Sequence, residues 1–194
     1  MVLWSENCQT KPNRRPYDKN DQFLVATLAV LAFSTAHAAA TYTDEEITEI
    51  MKVANDGEID AGKLAEKHAV NGEVKDFGKH MVKEHKKNMD ENKKVSKDQK
   101  IKMKSSDMSK TLHKDTKEKL SALKKADKAQ FDKEYIQLQI DMHQNLLTEL
   151  DNSFIPSAKN PELKSFLEKT KTHVAEHLAK AQEIQNGLAT TTTK

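Results

Sequence analysis

This 194-residue chain contains a single cysteine, Cys8, which lies among its first forty residues. Everything after residue 40 is therefore without a disulfide and without a thiolate metal ligand. Glycine occurs five times and proline four, and aromatic residues make up 5% of the chain. So little turn chemistry excludes a β-sandwich, and it also excludes a low-complexity disordered chain. Arginine is confined to Arg14 and Arg15. The rest of the chain lacks the planar fork that clamps phosphate or carboxylate in two places, which argues against phosphoryl transfer and specific DNA readout. Charge of one sign is missing too: 32 basic residues face 30 acidic ones, for a net charge of +2. A nucleic-acid partner calls for a basic excess, and none is expected here. There is no Gly-x-Ser-x-Gly elbow and no glycine-rich phosphate loop. No pair of carboxylates stands out as acid and base, so the expectation is a protein that is not an enzyme.

The longest apolar run is "FLVATLAVLAFSTAHAAA", Phe23 to Ala40, preceded by Arg14, Arg15 and Lys19. A basic lead, an apolar stretch of about eleven residues and an Ala-x-Ala exit have the form of a secretory signal peptide. The run is short of the ~20 residues that a transmembrane helix needs. Residues 1–40 are thus expected to be a leader, cleaved after Ala38 or Ala40. Residues 41–188 form the expected domain and 189–194 a frayed tail, with no membrane span in the mature part and a periplasmic or secreted location. The roughly 150 residues that follow the leader are enough to be stable by core packing alone.

What the chain does have is charge, 32% of its residues, interleaved with apolar positions at helical spacing. Thr43 and Glu46 form a capping box that opens a first helix. Its apolar positions include Ile47, Ile50, Met51, Ala54, Ala61, Leu64 and Ala65. Asn71-Gly72 is expected to stop it, since both residues tolerate the left-handed conformation. A second helix carries Val74, Phe77, Gly78, Met81, His85, Asn88 and Val95 on one side and fades in a lysine-rich stretch. A shorter helix spans about Asp107 to Lys124. Asp127 with Gln130 starts a third long helix bearing Phe131, Tyr135, Gln139, His143 and Leu147. "DNSFIPSAKNPE" is expected to be a loop. Asn160 caps and Pro161 opens the last long helix, whose apolar face runs from Leu163 to Ile184 and which frays from Asn186. The fold class is all-α, with no strand pattern in competition. The long link between the second and third long helices is enough to cross the length of a bundle, as in ferritin-like topology. Up-down order is the alternative.

Successive helical residues turn by about 100°. By that count Glu58, His85, His143 and His177 each fall on the inward stripe of a different long helix, each near its middle. Glu58 and His85 both lie ~18–20 Å from the turn that their helices share, so all four could meet at one level. Carboxylate and neutral imidazole suit a divalent transition metal such as zinc, copper, iron or nickel. Two other readings stay open: a buried hydrogen-bonded network that fixes helix register, and a set of stripe-edge groups that touch water. His173, one turn before His177, would be an extra ligand. His80 shares a face with Asp76, Lys83, Glu84 and Lys87, so the two histidines of "FGKHMVKEHKKN" cannot bind one ion together. His68 and His113 sit among polar neighbours and are expected to be exposed.

The stretches "NDGEIDAGKLAEKHA", "VKDFGKHMVKEHKKN", "FDKEYIQLQIDMHQNLL" and "HVAEHLAKAQ" resemble the bacterial family called domain of unknown function 4142. The likeness spans nearly all of the mature part. It implies an exported ferritin-like four-helix bundle, in a family whose members are often labelled predicted outer-membrane proteins and have no established activity. No alternating barrel strands of ~10 residues occur in this chain. Di-iron chemistry on that fold needs Glu-x-x-His, and the residues three before His85, His143 and His177 are Val82, Ile140 and Val174. The expected function is a non-enzymatic binding or stress-accessory protein of the envelope, whose partner is an envelope component or a small ligand. A homo-oligomer is compatible with it. Metal storage or buffering through the Glu/His cluster is the rival. A third reading has the four lysines between Lys97 and Lys104 touch anionic lipid, against the simpler one of a solvated loop.

Overall fold

The computed structural model describes residues 41–191, so the leader expected over residues 1–40 lies outside the described residues. Every element among them is helical: α1 (Asp44–His68), α2 (Gly72–Asp98), α3 (Asp107–Leu123), α4 (Lys128–Glu149), a π-helical turn (Leu150–Phe154), the single-turn α5 (Ile155–Ser157) and α6 (Pro161–Thr191). The all-α expectation holds. None of these helices is long and apolar enough to cross a membrane.

Helix starts follow the sequence closely. The Thr43 hydroxyl accepts from the Glu46 amide at 3.3 Å, while the Glu46 carboxylate accepts from the Thr43 amide at 3.1 Å. Ser106 and Ser109 make the same reciprocal pair ahead of α3. Asn160 accepts from the amides of Glu162 and Leu163, just where Pro161 opens α6. Helix ends follow it less closely. α1 stops without a left-handed residue: Ala69 is extended, and Asn71 (φ −74°) is the N-cap of α2, accepting from Glu73 and Val74. The expected left-handed stop at Asn71-Gly72 is thus corrected, because the Asn side chain is worth more on the free amides of the next helix. The one positive φ among the described non-glycine residues is at Lys100 (56°), just past α2. Asp127 takes the N-cap position of α4 without a side-chain bond. The stretch expected as a loop holds the π turn and α5. Leu150 and Phe154 are fully buried there, so burial keeps the backbone wound where Asn, Ser and Pro would favour a loop. α6 continues to Thr191, beyond Asn186.

Two carboxylates tie the helix connections together and reveal the helix directions. Asp132, at the start of α4, accepts from the backbone amides of Val70 and Asn71 in the α1–α2 turn, at 3.1 and 2.8 Å. Asp44, at the start of α1, accepts from the amides of Lys159 and Asn160 at 2.9 and 3.0 Å. α4 therefore begins at the end where α1 finishes, and α6 begins where α1 begins. α2 and α4 run the same way, and α3 carries the chain back between them along α1.

α1 and α2 approach each other backbone to backbone. A Cβ added to Gly62 would lie 2.7 Å from the Gly78 carbonyl oxygen, and one on Gly78 would lie 3.0 Å from that of Gly62. Both glycines are there because backbone meets backbone. The apolar core has two large parts and a small separate cluster of Ile59, Val82 and Met89. One large part holds Ala61, Val74, Phe77, Met81, Tyr135 and Ile184 among others; the other holds Ile47, Met51, Phe154, Leu167 and Val174. Between them in sequence on every long helix falls a layer of polar side chains.

Candidate metal centre

That layer contains all four residues marked by periodicity, each on its own helix. Glu58 is 4% exposed, His85 5%, His143 1% and His177 7%. Burial of all four, to 7% exposure or less, counts against the stripe-edge reading. One ring nitrogen from each of His85, His143 and His177 lies within 4.8 Å of one from each of the other two. The three rings meet at centroid distances of 5.4 to 5.7 Å.

The surrounding hydrogen bonds fix which nitrogens are free. His143 Nδ1 lies 2.8 Å from the Gln139 carbonyl oxygen. A carbonyl only accepts, so Nδ1 carries the proton and Nε2 carries the lone pair. His85 Nδ1 lies 2.9 Å from Asn55 Oδ1. The orientation of that amide is set by its other end, where Asn55 Nδ2 donates to the Met51 carbonyl and to Asn88 Oδ1. Asn88 in turn donates to Thr170 Oγ1 at 2.8 Å. His85 Nδ1 is therefore a donor, and its Nε2 is a lone pair as well. The buried ring nitrogens of the trio with no protein partner are His85 Nε2, His143 Nε2 and His177 Nδ1.

Glu58 belongs to the layer outside this trio. Its Oε2 accepts from Gln139 Nε2 at 2.8 Å, and its Oε1 lies 3.6 Å from His143 Nδ1, the nitrogen turned away from the lone pair. At 2.8 Å the Gln139 carbonyl is the better acceptor for that N–H. Glu58 also reaches a separate cleft of about 320 Å³ between α1, α3 and α4. His173 is partly exposed, pairs with Glu176 at 3.4 Å and does not join the trio. It lines a cavity of about 30 Å³ among α1, α2 and α6, along with Asn55, His85, Asn88, Thr170 and His177.

Burial dominates the electrostatics. It holds His85 well below the ordinary histidine value, and the neighbouring His143, His177 and His80 push the same way. Burial likewise takes His177 down to about 3, helped by His143, His80 and His173. Glu58 is raised by burial, with His143 and the Gln139 hydrogen bond acting against the shift. Neutral imidazoles are the form that binds a metal.

Three features escaped the sequence reading. Asn55 is buried and holds His85, yet it lies three residues before Glu58 and four after Met51, so the same helical count would have found it. His80 is exposed as expected, but its ring packs edge-on against His177 at 5.6 Å. Only the α2–α6 packing brings them together. His68 is half-buried rather than exposed, with its ring 5.6 Å from that of Phe131. His113 is exposed.

The model of the family described as Domain of unknown function (DUF4142) matches residues 30–184. No curated protein and no solved structure matches the chain.

Proposed function

We propose that this chain, which belongs to the DUF4142 family, is a metal-binding protein that holds one divalent transition-metal ion between His85, His143 and His177. The observation that carries the reading is that three buried histidines on three helices bring one ring nitrogen each within 4.8 Å of one another, and that each of the three also has a buried ring nitrogen with no protein partner. A hydrogen-bonded network needs a donor for each acceptor. Two of the three rings have their proton committed outward, to Gln139 and Asn55, so the trio has at most the one proton of His177 to share. Buried lone pairs without donors are rare in proteins, and a cation satisfies all three at once.

The donor set suits zinc, copper, nickel or iron. At a metal–nitrogen distance of about 2.0–2.1 Å, a tetrahedral ion would bring its ligand nitrogens to about 3.3 Å apart. A small inward swing of the rings supplies this closure. The Gln139 carbonyl orients His143 and Asn55 orients His85; outer partners of this kind set ligand geometry in metal sites. The crossover through α3, with α2 and α4 running the same way, supports a ferritin-like four-helix bundle as the scaffold. The signal-peptide pattern over residues 23–40 supports an envelope location, in which the protein would act as a metal-buffering component.

The test is metal analysis of tag-free protein, together with its melting temperature with and without zinc, copper or nickel. One equivalent per chain and a raised melting temperature are expected. Stabilisation should be about 2.7 kcal/mol at a hundredfold excess over the dissociation constant. A folded protein with neither bound metal nor a thermal shift would overturn the reading.

A further inference from the structure

We infer that the ion held by the three histidines keeps one coordination position for an exchangeable water or small anion, reached through the crevice among α1, α2 and α6. The inference rests on the three-histidine reading above and adds to it what the ion does besides being held. Three protein nitrogens leave a tetrahedral ion one ligand short, the arrangement of an open site and not of a closed structural one.

Glu58, the one buried carboxylate nearby, does not supply the missing ligand. Its Oε2 is engaged by Gln139 and its Oε1 lies on the Nδ1 side of His143, opposite the free Nε2. The space falls elsewhere. The 30 Å³ cavity has two of the three ligands, His85 and His177 but not His143, in its wall, together with the polar side chains of Asn55, Asn88 and Thr170. A single water needs about 10–15 Å³ of such volume, so a water, a hydroxide or a small linear anion fits and a larger substrate does not. Partly exposed Glu84, Glu91 and His173 also line it, which places its outer end at the surface.

Charge points to the same class of ligand. Three neutral imidazoles leave a divalent ion with its full charge, and water bound to such an ion is acidified toward neutral pH. A hydroxide or a small anion is the partner that reduces this buried charge.

The test uses the full chain loaded with cobalt(II), whose visible bands report its coordination, and titrates it with sodium azide. A saturable shift of the bands is expected in the wild type and to the same extent in Glu58→Gln. If cobalt is not taken up, the three-histidine reading itself falls. If cobalt binds but azide leaves the bands unchanged, the open position is wrong while the metal site stands. If azide shifts the bands only in Glu58→Gln, Glu58 is the fourth ligand and the inference is overturned.

Discussion

Asn55 Oδ1 accepts the Nδ1–H of His85 at 2.9 Å, and this contact between α1 and α2 decides which nitrogen of His85 faces the other two histidines. Replacing Asn55 by Leu removes that acceptor and leaves Asn88 Oδ1 without its donor. Metal affinity is expected to fall about 10–100-fold, as for other partners of metal-bound histidines. Asn55→Asp retains the acceptor and should lose less. Zinc titration calorimetry on the two variants distinguishes an orienting contact from a merely structural one, which would make them equally poor.

His177 separates the metal reading from the network reading by sign. No protein hydrogen bond accounts for its buried Nδ1. His177→Leu should leave the metal-free melting temperature unchanged or raise it, because an unsatisfied polar group is exchanged for an apolar one. It should also abolish the metal-dependent rise. A metal-free protein destabilised by more than about 2 kcal/mol would instead place His177 in a hydrogen-bonded network.

The stability of the metal-free protein should depend on pH in a stated direction. His85 and His177 stay neutral in the fold, His177 down to about 3, while in the unfolded chain they protonate near 6.5. Stability is whole above about pH 6.5 and is lost as pH falls, since the unfolded state then binds the extra protons. The slope is up to about 1.4 kcal/mol per pH unit for each histidine. Glu58, raised by burial, has the opposite sign: its contribution is present below its unfolded value and is lost as pH rises through its folded one. Urea midpoints at pH 7, 6 and 5 in a chelator should fall in that order, and His177→Leu should flatten the trend.

Gly78 tests the helix contact that positions His85. Its added Cβ would lie 2.6 Å from that of Ala65 and 3.0 Å from the Gly62 carbonyl oxygen. Gly78→Ala is expected to destabilise by about 1–3 kcal/mol, because backbone must move to make room. His85 follows two turns later on the same helix, so metal affinity should weaken as well. An unchanged denaturation midpoint would show that the α1–α2 contact is looser than the structure has it.

Asp132 holds the α1–α2 turn to α4 through the amides of Val70 and Asn71. Asp132→Ala frees both donors, at an expected cost of about 1.5–3 kcal/mol for bonds to a charged acceptor. The melting temperature of the metal-free protein checks this. A surface carboxylate such as Asp76, whose nearby partner is Lys79 in an exposed pair, should give almost no change.

Helix starts were the most legible part of the fold. Thr43, Asn160 and Pro161 act within a few residues of themselves, so their local chemistry is decisive; Asp127, read the same way, caps α4 without a side-chain bond. The turn at Asn71 and the segment from Leu150 to Phe154 were read less well. In the first, one side chain could serve either of two helices; in the second, burial of Leu150 and Phe154 outweighed turn-forming residues. The four inward groups were found from the helical period, but not their roles, because a period gives a face and not a distance.

The sequence by itself determined that the described chain is helical and which side of each helix turns inward. Both follow from the 3.6-residue period and from caps a few residues long. It also determined that no thiolate could help bind a metal beyond residue 40. Only the tertiary structure decided that three histidines meet while Glu58 stands behind one of them, and that Asn55 and the Gln139 carbonyl hold the protons outward. Those relations depend on how far each helix slides and rotates against its neighbours. That is fixed by contacts such as Gly62 on Gly78, which join residues distant in sequence.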